Sequence, residues 1–177
     1  SFGDKEDEFR VYKVDYTKRC IDLALELGTK NISVGAGYAP RGVDPRLTWQ
    51  RVREGLRESC EYAVKRGAYV NLEYEPGLVV GNRVDAMRMR SEVGSPRLCF
   101  NLDLGHTYVC REDVPETVRL FAPYIRGAHI EDIKKEEQGR DHHFHLIPGL
   151  GDMPLKDVLA AFKAIDYKHF ITVELYT

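Results

Sequence analysis

Stretches with helical periodicity alternate with short apolar stretches along nearly the whole chain, and this alternation limits the available folds more than any other feature. A helical pattern runs from about Tyr16 to Leu27, with Asp15 as the expected cap and Gly28 as the stop; Cys20, Ile21, Ala24, Leu25 and Leu27 share one broad face. Residues 1–10, mostly charged, read as an exposed loop. A strand over Asn31–Val34 runs into the loop GAGYAPRG. The clearest helix then opens on the Asp44-Pro45 cap, carries Leu47, Trp49, Val52, Leu56, Cys60 and Val64 as its apolar stripe, and ends at Gly67. The rest predicts strand 69–74, helix 84–93, strand 98–103, a helix from near Pro115, strand 125–130, a polar loop 131–153, a helix from Pro154 to about Ile165 and strand 169–175.

Five strands separated by helices predict a parallel sheet of right-handed βαβ units. An open, doubly wound sheet is one solution. The strand ends favour a β/α barrel, because alternate side chains of a strand face opposite sides. Leu72 and Tyr74 oppose Asn71, Glu73 and Glu75; Phe100 and Leu102 oppose Cys99, Asn101 and Asp103; Ile32 and Val34 oppose Asn31, Ser33 and Gly35; Ile171, Val173 and Leu175 oppose Thr172, Glu174 and Tyr176. Each strand thus has one apolar face for outer helices and one that turns polar toward its C-terminal end, whereas strands buried in a two-faced sheet are more often apolar throughout.

Glu73, Asp103, His129 and Glu174 stand at the ends of four successive strands. Neighbouring strands lie about 4.8 Å apart, so such side chains can converge inside a barrel. Several inward carboxylates need a cation or tight hydrogen bonding. Three carboxylates and one imidazole form a mainly hard donor set, suited to one divalent ion: Mn²⁺ foremost, with Mg²⁺, Co²⁺ or Zn²⁺ as alternatives. Each residue taken alone also reads as a rim group bonded to loops. The four cysteines, Cys20, Cys60, Cys99 and Cys110, are widely spaced and read as free thiols of a reducing, cytoplasmic compartment. With 26 basic against 28 acidic residues, a net charge of -2 and no long apolar run, nothing points to nucleic acid or a membrane as partner.

Five motifs in order, Leu72-Glu73-Tyr74-Glu75-Pro76-Gly77, Asp103-Leu104-Gly105-His106, His129-Ile130-Glu131-Asp132, the run His145 to Asp152, and Thr172-Val173-Glu174-Leu175, resemble the xylose isomerase-like TIM-barrel superfamily in its sugar phosphate isomerase/epimerase branch. The resemblance implies a (β/α)8 barrel, here partial, with strands 4 to 8 in one domain spanning 1–177. It implies that Glu73, Asp103, His129 and Glu174 hold one metal, and that Glu73 and Glu174 also act as the acid/base pair; Glu75 rivals Glu73. His106 matches a substrate or metal-shell histidine, and otherwise reads as a loop histidine. Asp132 matches a carboxylate orienting the His129 ring, and equally a turn residue. His142, His143 and His145 together look like a zinc tract; the motif places His145 at the cleft as a catalytic candidate, and the other two also read as solvated on a long loop. Leu150 stands where the pattern often has Glu. Arg140 and Lys134 are candidates for substrate hydroxyls or phosphate, or part of a solvated charged loop. The endonuclease cousins carry a metal-binding histidine where Gly35 stands and an aspartate where His143 stands, which makes DNA cleavage the minor reading.

The expected chemistry is proton transfer beside the carbonyl of a sugar or hydroxy-ketone through a metal-stabilised enediolate. Lyase or dehydratase chemistry on the same site is the alternative, and a non-catalytic sugar-binding subunit is a third; a homo-oligomer is left open. Barrels of this kind take about 250 residues, so the 177 here predict a parent with three more N-terminal βα units and a closing C-terminal helix.

Overall fold

The computed structural model describes residues 1–175. Five strands form one wholly parallel sheet in strict sequential order: β1 (Asn31–Gly35), β2 (Tyr69–Glu73), β3 (Leu98–Asp103), β4 (Ile125–Ile130) and β5 (Ile171–Val173). A doubly wound sheet would reverse its strand order at a switch point. None occurs, so the sheet is an arc of a β/α barrel, as the strand ends predict.

The helices are α1 (Asp7–Glu26), α2 (Pro45–Arg66), α3 (Arg83–Val93), α4 (Leu104–Val109), α5 (Val114–Phe121) and α6 (Leu155–Ala164). Helix α2 starts as its sequence dictates: Pro45 occupies the first turn and Asp44 accepts a hydrogen bond from Arg46 N at 2.8 Å. It ends where Gly67 takes φ +71°. Its buried stripe is Thr48, Val52, Leu56, Ser59, Cys60 and Ala63, whereas Leu47 and Val64 of the expected stripe are exposed. The core lies between these helices and the outer face of the sheet, where Leu72, Leu98, Phe100 and Leu102 are wholly buried. Phe100 and Phe121 pack in a tilted pair with ring centroids 4.5 Å apart.

The N-terminal segment departs from expectation. Helix α1 begins at Asp7, not Tyr16, and Asp15 lies inside it within 3.6 Å of Lys18. Residues 7–14 continue the stripe backwards, since Val14, Thr17, Ile21 and Ala24 are its buried positions. Phe2, expected in an exposed loop, is 1% exposed, its ring seated on the face of α2 that Gly55 leaves bare. At the far edge of the sheet, β5 is shorter than expected; Val173 and Leu175 are exposed, and Tyr176 lies outside the described residues.

Register carries the site. Asp103 pairs with His129, and His129 with Thr172, so Glu174 stands two residues beyond Thr172, just past the end of β5. The strand tilt of a barrel offsets such stagger and returns these side chains to one height along the axis.

Candidate functional site

Asp103 ends β3 and caps α4 at once. Its Oδ1 accepts the backbone N–H of His106 at 2.7 Å, which fixes the carboxylate and leaves Oδ2 buried without a hydrogen bond, 3.5 Å from His129 Nδ1. The same ring nitrogen lies 3.2 Å from Glu73 Oε1 and 3.2 Å from Glu174 Oε2. One donor atom from each of these four residues falls within 4.8 Å of the others. Glu73 is oriented by Ser33 Oγ and Asn101 Nδ2, which donate to its Oε2 at 2.9 and 3.0 Å; Asn101 Nδ2 is also 3.1 Å from His129 Nε2.

The electrostatics favour a positive charge at the centre of this group. The Asp103 and Glu73 carboxylates facing its ring push His129 up to about 11. Burial pushes the Glu73 carboxyl up, but hydrogen bonds from His129 and Asn101 more than offset it and leave it below the usual range. Burial likewise opposes ionisation of Asp103, and His106 and His129 overcome it, holding the carboxyl well below its ordinary value. Burial raises Glu174. Three convergent carboxylates, one imidazole and an unpartnered buried oxygen fit a divalent cation.

A second group stands beside the first. His106, His143 and His145 are 3%, 8% and 2% exposed, and their ring nitrogens lie within 4.8 Å of one another. His106 Nδ1 is 3.1 Å from Tyr74 O, while its Nε2 and the Nδ1 of His143 are buried without partners. His145 joins the two groups, its Nδ1 3.3 Å from Glu174 O and 3.6 Å from Glu174 Oε2. Burial lowers His143 to about 4 and brings His145 below its ordinary value, so both rings are neutral.

Glu75, the rival of Glu73, falls outside the four-residue cluster, in a turn where its backbone bonds Val80 and Leu78. Asp132 turns to the loop rather than to the His129 ring: its carboxylate accepts the N–H groups of Ile133, Gly149 and Met153 at 3.0, 2.9 and 3.0 Å. Its backbone pairs with Leu146 in an antiparallel bridge, which folds loop 131–153 back over the barrel end. That fold buries His143 while His142 stays exposed. Arg140 is exposed, 3.3 Å from Glu137, and Lys134 lies 3.9 Å from Asp152.

Ser33, Asn101 and Glu131 escaped the sequence reading. The first two were visible as inward positions; the groups they bond were not. Glu131 is wholly buried, burial and the Asp103 charge push it up to about 10, and its carboxyl lies where a side chain on Gly105 would stand.

A family model described as xylose isomerase-like TIM barrel matches residues 1–177. Fructoselysine 3-epimerase of Shigella flexneri is 32% identical over 176 residues, a match covering 97% of this chain and 62% of that protein. The chain thus spans about three-fifths of that relative's length. A D-tagatose 3-epimerase-like protein superposes with a TM-score of 0.86 at 22% identity, covering 98% of this chain and 66% of the other. The IolI protein, in a crystal structure with a bound zinc atom, superposes with a TM-score of 0.82 at 20% identity, covering 97% and 63%. No helix among the described residues is long and apolar enough to cross a membrane.

Proposed function

Since the chain belongs to the xylose isomerase-like TIM barrel family, we propose that it carries the catalytic end of a sugar 3-epimerase acting on a ketose. The observation that carries this reading is the pair of carboxylates, Glu73 and Glu174, each 3.2 Å from His129 Nδ1 and borne on separate strands. Glu73, Asp103, His129 and Glu174 would hold a divalent ion, Mn²⁺ by the hardness of the oxygen donors. Bound there, the ion supplies positive charge beside the oxygens of a hydroxy-ketone, where negative charge develops as a neighbouring C–H proton leaves.

The chain's own groups do the rest. Glu174 takes the proton from the carbon next to the carbonyl, and Glu73 returns one to the opposite face. Two bases on two faces invert the centre, whereas one base moving a proton between carbons would isomerise it. Ser33 and Asn101 hold the Glu73 carboxylate in place, and His145 does so for Glu174. The 32% identity to a fructoselysine 3-epimerase supports a ketose inverted at its third carbon.

The test is solvent exchange. The full-length protein, loaded with Mn²⁺ in deuterated water, is expected to place deuterium at the third carbon of a ketose while forming its epimer. A panel of free, phosphorylated and amine-linked ketoses that shows no exchange with Mn²⁺, Co²⁺ or Zn²⁺ overturns the reading.

A further inference from the structure

We infer that Tyr74 is a positioning residue, whose phenol and carbonyl together fix the Glu73 end of β2 against the Asp103 end of β3. The inference rests on the reading of Glu73 and Asp103 as parts of one centre. Strand pairing alone does not join these ends. The pairing of β2 with β3 stops at Leu72 opposite Phe100, three residues short of Asp103, whereas that of β3 with β4 continues to Asp103 opposite His129. Beyond Leu72 nothing in the ladder keeps the two strand ends together, yet their carboxylates belong to one cluster. Asn101 Nδ2 spans the gap to Glu73 Oε2 at 3.0 Å, but it holds a carboxylate and leaves the backbone free.

Tyr74 supplies the missing ties from both of its polar groups. Alternation turns its ring to the outer face, away from Glu73 and Glu75, where it is buried. Its hydroxyl donates to Glu112 Oε2 at 3.0 Å and lies 2.6 Å from Thr107 Oγ1. Burial holds the phenol well above its ordinary value, so the group keeps its proton. Thr107 Oγ1 is in turn 2.8 Å from the Asp103 carbonyl, so this chain of contacts ends on the backbone of a proposed ligand. Glu112 is itself fixed, its Oε1 accepting Arg83 N at 2.8 Å. From the other side, Tyr74 O is 3.1 Å from His106 Nδ1, and the His106 N–H caps Asp103 Oδ1 at 2.7 Å. One residue at the end of β2 thus grips the start of α4 twice. Packing accounts for the ring, which meets Phe121 with centroids 6.2 Å apart. It does not account for a hydroxyl carried into that core together with its own acceptors, since polar groups are costly to bury.

In full-length protein, Tyr74→Phe keeps the ring and deletes the hydroxyl. Tyr62→Phe is the control: its phenol bonds the Asp22 carboxylate at 2.8 and 3.0 Å, between α2 and α1. Mn²⁺ affinity, read from the free-ion signal in electron paramagnetic resonance, should fall about tenfold in Tyr74→Phe and stay within about twofold in Tyr62→Phe, tenfold being the low end for groups that hold ligands in place. Thr107→Val should weaken Mn²⁺ binding to the same degree, and the double variant no further, because both hydroxyls serve one link. In metal-free protein, exchange of the His106 amide should quicken in Tyr74→Phe and not in Tyr62→Phe. Unweakened Mn²⁺ binding in Tyr74→Phe overturns the inference. An equal loss in Tyr62→Phe does so too, since it marks a general effect of stability. If Tyr74→Phe does not fold, Thr107→Val decides by the same limits. If the unaltered protein binds no divalent ion, the reading of the centre fails by itself, and the His106 amide decides the positioning role: faster exchange upholds it and an unchanged rate overturns it.

Discussion

At the N-terminal end of the sheet, Arg126 lies 3.5 Å from the centre of the Tyr69 ring, Arg97 lies 4.4 Å from it, and Arg126 Nε donates to Asn31 at 3.2 Å. At the C-terminal end of the same strands, Asp103, His106, Glu131 and His143 all keep buried polar atoms without hydrogen-bond partners. These four residues hold five of the nine such side-chain atoms found among the described residues. One end satisfies most of its polar groups from within the chain, Asn71 Oδ1 excepted, whereas the other leaves a cluster of them open. Burial of an unpaired polar atom costs about 1–3 kcal/mol, so such atoms gather where a ligand offsets the cost. The difference teaches that one end of the arc is built for stability and the other for binding, the division expected of β/α barrels.

The largest expected effect lies at the open end. Glu174→Gln removes a proton acceptor while keeping shape, and should lower turnover by about 10²–10⁴-fold. Its melting temperature should hold or rise, because one charge of a crowded group is gone. Turnover and thermal melting of the same sample check both halves. Full activity, or a collapse in stability without specific loss of turnover, breaks the comparison. Next comes the buried outer face: Phe100→Ala empties a wholly buried position and should cost about 3–5 kcal/mol in denaturant unfolding. Metal content per folded molecule should not change. A loss of metal there would mean that core and site are less separate than the contrast implies.

The sequence made some of this contrast legible and hid the rest, for physical reasons. Strands 98–103 and 125–130 are found at their expected bounds, because turn-forming residues flank both. Alternation singled out Glu73, Asp103 and Glu174, and its place at a strand end added His129; the structure brings the four together. Helix α4 was missed since six residues give less than two turns of periodicity, and its cap was already read as a site carboxylate. Phe2 offered no period at all: a lone aromatic near a charged segment looks solvated until the bare Gly55 face of α2 receives it. His143 was read as solvated because nothing local distinguishes it from His142. Its burial follows from an anchor eleven residues upstream, where Asp132 binds three backbone N–H groups of its own loop. Long-range anchoring of this kind leaves no local pattern.

The smallest expected effect falls at the closed end and is the sharpest check on the contrast. Arg126 stands on the same strand as His129, three residues earlier, and alternation alone would turn it to the opposite face; the register shift opposite Phe100 and Asn101 brings it to the inner side instead. Its partners are a ring face and an amide oxygen of the chain itself, so Arg126→Ala should lose packing and a cation–π contact, about 0.5–2 kcal/mol. Replacement by Lys keeps the charge but gives up the planar stack, and should recover only part of that. Both variants are expected to bind as many metal ions per chain as the unaltered protein, with kcat/KM within about twofold, since no group of the proposed centre depends on the guanidinium. A fall in metal content or kcat/KM larger than the stability loss explains would place Arg126 with the open end, and the division would then run across strands rather than along them.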